Sequence, residues 1–331
     1  MKMNQTDSLI KGVIAAILCC AVFSCKKAFD ITPKNVVVSA DAYRNVSDAD
    51  AVVTGIYGQL MGIASQYVIL NELRGDLMDV TGNADQYLRQ ISTFSATSTN
   101  PYTDPKPFYQ IILNCNDALK NFQIMVQDNR MSSTDFAIRY STVGAIRSWL
   151  YLELGIQFGS VPYVTSPLEN LDEVNDQNNF PRLAFSQLLD SLIQFTEALP
   201  YKDPFPSGTS LVTSVDGYST EKFFIPIKCL LGDLYLWKGD YVDAAANYHY
   251  MMNYADILYP AKNSEQWYET YKVAYTANLR GPLWNNIFTE PYGERYSNYE
   301  IMWDLPFDEN FDPGNPFIHL FYNTGSDYKL K

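Results

Sequence analysis

Phe136, Tyr140, Val143, Arg147, Leu150, Tyr151, Leu154 and Phe158 recur three or four residues apart and trace one stripe of a long helix. Ser132 and Asp135 form a capping-box pattern at its start, and Gly159 ends it. The same period returns at Ala49, Val52, Val53, Ile56, Tyr57, Leu60, Met61 and Ala64, behind a second capping-box pattern at Ser47 and Asp50. Gly58 and Gly62 lie four apart there and are expected to allow close helix packing. Further helices are expected over residues 67–80, 107–126 and 181–199, with Pro107 in a first turn and Pro200 closing the third. Residues 81–107, 165–180 and 278–298 are rich in Thr, Ser, Asn, Gly or Pro and read as loops. The expected fold is therefore predominantly all-α, with long loops and a more irregular segment after residue 256.

Paired helices are expected at 221–238 and 241–255. Leu231, Gly232, Tyr235, Gly239, Ala244 and Tyr248 match the tetratricopeptide pattern in order and spacing. Gly232 and Ala244 are small where two helices approach, and Tyr235 and Tyr248 fill the space between repeats. No strict 34-residue recurrence is present. The 136–199 segment is a second helix pair with a long insert. A short helix is expected at 267–274 and a short strand at 300–307.

Gly12 to Phe23 is an uncharged apolar run behind Lys2 and Lys11. A bilayer span needs about 20 such residues, so the run fits the apolar part of an export signal instead. Ser24-Cys25 directly after it resembles a bacterial lipobox, in which Cys25 becomes the lipidated N-terminus. An ordinary secretory signal with an incidental cysteine is the alternative. Residues 1–24 are thus expected as signal peptide and 25–40 as a lipidated, extended tether. Of the five cysteines, Cys19 and Cys20 leave with the signal. Cys115 and Cys229 then remain as buried free thiols, with nothing requiring a bridge between them.

The chain of 331 residues carries 24 basic and 37 acidic side chains, and no basic tract. That argues against nucleic acid, because phosphate binding needs clustered Lys and Arg. Two histidines leave little for a His-based zinc site or a Ser–His–Asp triad. His249 is expected as a surface or packed residue. No glycine-rich phosphate loop or cysteine cluster occurs, and no cofactor or metal is expected. Glu72, Asp76 and Asp79 would share one helix face, the arrangement a glycosidase needs, but Arg74 beside them favours a solvated or paired face. The acidic run Glu169–Asn179 lacks the glycine and spacing of a calcium loop. Aromatics make up 15% of the chain, so the question becomes which of them are on loops. Trp149, Tyr151, Tyr235 and Trp237 lie on helix stripes and are expected in the core.

Several segments together resemble the SusD/RagB family. Arg147-Ser-Trp-Leu-Tyr151 with Phe158-Gly-Ser-Val-Pro-Tyr163 resembles its helix-and-turn signature. Tyr109, Ile112 and Asn116, the run Leu188 to Pro200, the hairpin Leu230 to Tyr241, and Glu300 to Phe307 follow in the family's order. The resemblance covers about Cys25 to Lys331 and suggests the N-terminal part of a longer protein. It implies a SusD-like helical domain over 41–255 and a loop-rich ligand-binding segment over 256–331. It further implies a non-enzymatic surface lipoprotein of the outer membrane. Such a protein captures glycans, or peptides in some members, for a partner SusC-like TonB-dependent transporter. Ligand contacts are expected in the loop before residue 109 and after the hairpin: Asn100, Tyr102, Trp267, Trp284, Tyr292 and Tyr296. A tetratricopeptide scaffold with protein partners is the alternative.

Overall fold

The computed structural model describes residues 42–203, 205–206, 208–215, 218–258, 303, 315–322 and 328–331. Cys25, Trp267, Trp284, Tyr292 and Tyr296, the helix expected at 267–274 and all but Trp303 of the strand expected at 300–307 lie outside them. The described helices of more than one turn are α1 (Val46–Val68), α2 (Gln86–Ser92), α3 (Lys106–Gln127), α4 (Ser133–Phe158), α5 (Leu171–Asn175), α6 (Phe185–Glu197), α7 (Ile227–Lys238) and α8 (Tyr241–Leu258), and a single turn, α9 (Ile318–Phe321), follows. Strand is confined here to two short antiparallel pairs, 161–162 with 182–183 and 214–215 with 218–219. The all-α expectation holds.

The long helices stack in chain order: α3 on α4, α4 on α6, α6 on α7 and α7 on α8, with α1 across α3 and α4. That is how a hairpin array buries a continuous core. α4 is the axis. Every residue from Ser141 to Gly155 is buried, so the helix is enclosed on all sides rather than on one stripe. Its glycines make room: a Cβ on Gly144 would stand 2.7 Å from Leu199, and one on Gly155 2.5 Å from Phe185. A Cβ on Gly232 would strike the ring of Tyr248, as the tetratricopeptide spacing predicts. Gly58 and Gly62 do not act this way. Both are exposed with open space around them, and the contact face of α1 is Ala49, Val53, Ile56 and Leu60 instead.

Arg139, Arg147, Asn116 and Tyr151 are paired inside this stack. Arg139 is fully buried and donates from Nε to Asp50 (2.7 Å), from Nη1 to Asp135 (2.9 Å) and from Nη2 to Ser210 (2.9 Å). Arg147 donates to Asn116 (2.9 Å) and lies 4.0 Å above the ring of Phe195. Asn116 in turn donates to the Val164 and Ser166 carbonyls. Tyr151 closes the set by donating to the Val164 carbonyl (2.8 Å) and accepting from its N–H (2.7 Å). Arg147, Tyr151 and Asn116, prominent in the signature segments, thus fasten the turn after α4 to the stack.

The structure corrects several boundaries. Asn45, not Ser47, caps α1 by accepting from the Asp48 N–H, while Asp50 serves Arg139. Ser132 does cap α4, accepting from Asp135 N–H at 3.1 Å. α1 runs directly into a π turn, Ile69–Leu73, and ends there rather than at residue 80. α6 starts at Phe185, because Arg182–Leu183 pairs with Val161–Pro162. Trp237 is 51% exposed and Tyr235 half-buried, so the core placement expected of them fails: Trp237 lies in the last turn of α7 against Phe185 of α6. Cys115 and Cys229 are both free thiols, as expected, but only Cys115 is fully buried; Cys229 is partly exposed. Among the described residues no helix is long and apolar enough to cross a membrane.

Candidate functional site

The π turn carries the chain from α1 into a lobe with its own small core. Ile69, Leu70 and Leu73 from the turn meet Ala84, Leu88 and Ile91 from α2 and its approach, together with Leu320 and Leu330. Val80 and Leu330 form an antiparallel bridge, flanked by Asp79 N–H to Lys331 O (2.8 Å) and Lys331 N–H to Asp79 O (2.9 Å). Glu72, Asp76 and Asp79 consequently do not share a helix face. Glu72 sits in the π turn, Asp76 has a left-handed backbone (φ 60°), and Asp79 pairs along the bridge and with Lys331. The arrangement expected for a glycosidase is not formed.

α2 lies inside the stretch read as loop. Its Asp85 cap accepts from Tyr87 N–H (2.9 Å) and Leu88 N–H (3.0 Å). At its other end Phe94 N–H reaches Ile91 O (3.1 Å) and Ser95 N–H reaches Gln90 O (2.8 Å), the two bonds of a Schellman cap. Such a cap needs a left-handed residue, normally glycine, at the position Phe94 occupies; its φ is 54°. A bulky residue held there costs on the order of 1–3 kcal/mol. The residue is nevertheless 69% exposed. Its neighbours in the chain, Thr93, Ser95, Thr97, Ser98 and Thr99, are all exposed as well.

Asn100 follows directly and is only 1% exposed. Its Nδ2 donates to Tyr87 O and Gln90 Oε1, both at 3.0 Å, and its Oδ1 accepts from Tyr102 N–H. The ligand contact expected of Asn100 has no exposed polar atom behind it; the residue builds the turn Pro101–Thr103. Gln66 of α1 clamps that turn by donating to Tyr102 O and Asp104 O, both at 2.8 Å. Tyr102 packs against the lobe core and is half-buried, which raises its phenol above the usual range. The structure therefore places Asn100 and Tyr102 in one turn, and Phe94 at the end of α2 that Asn100 fastens through Tyr87 and Gln90. Phe94 had no signal in the sequence, since its conformation follows only from the end of a helix hidden in a polar stretch.

Glu169 pairs with Lys120 (2.6 Å), and Asn170 caps α5 by accepting from Glu173 N–H (2.9 Å). Among the described residues no group of three or more His, Cys, Asp or Glu could hold a metal ion. His249 is exposed on α8. Glu153, on α4, is the carboxylate that sequence reasoning missed: burial, then the charge of Asp233, pushes it up to about 7.

No family model and no curated protein matches this chain. Solved structures do. A SusD superfamily protein from Bacteroides thetaiotaomicron superposes with a TM-score of 0.53 at 17% identity, over 64% of this chain and 48% of that one. A laminarin binding SusD-like protein superposes with a TM-score of 0.50 at 21% identity, over 65% and 44%. The likeness is one of fold: the chain has a SusD-like, predominantly helical architecture. It spans about half the length of those structures or less.

Proposed function

We propose that this chain serves in glycan capture without catalysis. In this reading it is anchored in the outer membrane through lipid on Cys25, faces the exterior, and delivers oligo- or polysaccharide to a SusC-like TonB-dependent transporter. The observation that carries the reading is Phe94, an exposed aromatic residue in a strained cap. Sugars present C–H faces that stack on aromatic rings, while their hydroxyls bond to neighbouring polar groups. A rigid ring loses little freedom on binding, so the strain is kept where it is useful. The SusD-like fold supports the same direction, since one similar structure is a laminarin binding protein. Tyr102 joins Phe94 in this assignment. Trp267, Trp284, Tyr292 and Tyr296, in the 256–331 segment, are assigned as further contacts. No cofactor or nucleic acid enters the reading. Calorimetric titration of the unlipidated protein against a polysaccharide panel tests it. Heat with peptides and with no glycan would change the ligand class.

A second reading, a scaffold for protein partners, is favoured by one feature. Leu236, Trp237, Tyr241 and Val242 are 48–80% exposed around the α7–α8 turn. Co-purification of a protein partner that is lost in Trp237→Ala, with no glycan bound, would favour it.

A further inference from the structure

The lobe core is assembled from two distant pieces of chain. The π turn and α2 supply one half, and Leu320 and Leu330, both buried, supply the other. The first half has little to hold it alone, because a seven-residue helix such as α2 is too short to be stable by itself. Residues 328–331 complete the core as a strand bonded along both edges. On one side Asp79 and Lys331 exchange N–H to O bonds (2.8 and 2.9 Å), Thr81 N–H reaches Lys329 O (2.9 Å), and Thr81 Oγ1 donates to the Tyr328 carbonyl. On the other, Lys329 N–H and Leu330 N–H both reach Leu320 O (2.8 and 2.9 Å). Leu330 is 0% exposed, whereas Lys331 is exposed and Lys329 half-buried, the alternation of a strand with one face in and one face out.

We propose that residues 328–331 are an exchangeable strap. The lobe is ordered only with a strand in this seat, and an extended peptide with a leucine beside a lysine takes the seat in place of the chain's own. The seat reads three features. Main-chain groups of Asp79, Thr81 and Leu320 require an extended backbone. The enclosed socket around Leu330 takes one apolar side chain. The Asp79 carboxylate, 3.4 Å from Lys331 Nζ, favours a cation next to it. This is recognition by strand addition, in which the main-chain bonds hold and the pocket selects. The occupant is also poised to leave. Tyr328, at the strand's entry, has φ 64°, a left-handed backbone that an aromatic residue adopts only under strain. Leaving the seat relieves that strain. The strap stands whether or not Phe94 touches a sugar.

Hydrogen exchange of the full chain tests this with Leu330→Asp, which puts a charge into the apolar socket. Protection of α2 amides should fall at least about tenfold while α3 and α4 amides keep theirs. A synthetic peptide of residues 326–331, Ser-Asp-Tyr-Lys-Leu-Lys, added at millimolar concentration, should restore α2 protection in that variant. The same peptide with Leu330→Asp should not. Unchanged α2 protection in the variant, no recovery with the leucine peptide, or equal recovery with both peptides would overturn the proposal. Should Leu330→Asp not fold, Leu330→Ala carries the same test. A loss of at least about threefold in α2 protection is then expected, and the two peptides decide in the same way.

Discussion

At the scale of single residues, the stack depends on side chains whose removal leaves something unpaired or something crowded. Arg139 is enclosed and balances two carboxylates, Asp50 and Asp135. Arg139→Ala leaves Asp50 without its enclosed partner, while Asp135 keeps much of its water, and should cost about 1–3 kcal/mol in urea unfolding. Glycines separate into two kinds. Gly155 lies against Phe185 and Leu188, so Gly155→Ala should destabilise by about 1–2 kcal/mol despite the better helix propensity of alanine. Gly58 meets open space, so Gly58→Ala should stabilise by about 0.5–1 kcal/mol. The thiols of Cys115 and Cys229 are pushed up to about 12 by burial. Neither should react with a disulfide reagent at neutral pH until the protein is denatured. Arg139 and Glu153 were not legible in the sequence, because a helix buried on every side hides its inward polar residues among its apolar ones.

At the scale of elements, long helices were legible and their ends were not. The α4 stripe, its Ser132 cap and its Gly159 stop all follow from local chemistry, and so does the approach of Gly232 to Tyr248. The end of α1 does not. Its pattern runs on past Leu73, and the π turn exists because Asn71 is drawn to Glu153 and Gln157, more than eighty residues away. α2 was hidden for the opposite reason: a seven-residue helix in a Thr- and Ser-rich stretch is held by Asp85, Arg89 and the lobe core rather than by its own periodicity. The π turn carries its own expectation. Asn71→Ala leaves Glu153 and Gln157 without their shared partner and should cost about 1–3 kcal/mol, read as a lower unfolding midpoint. Glu153 also ties stability to pH. Its proton is held more tightly folded than unfolded, so this contribution is full below about pH 4.5 and is lost as pH rises towards 7.

At the scale of the whole molecule, a SusD-like helical stack presents a lobe that exposes Phe94 beside a Thr- and Ser-rich stretch. The family resemblance was legible because its segments fall in order, and the residues at their centre, Asn116, Arg147 and Tyr151, prove to fasten the fold. The proposed ligand surface was less legible. Asn100 is buried and bonds within its own turn, and Phe94 was recognisable only once α2 existed to be capped. Phe94 also separates binding from folding. Phe94→Gly suits the left-handed cap, so it should keep or raise stability while removing the ring. Calorimetric titration of wild type, Phe94→Gly and Tyr102→Ala against a polysaccharide panel, laminarin included, is the most direct test. Glycan capture through this lobe predicts that wild type binds one or more glycans. It also predicts that Phe94→Gly weakens that binding at least about tenfold, a loss of about 1.4 kcal/mol, with its melting temperature no lower than wild type. Absence of binding to every glycan, or full affinity in both variants, would contradict it.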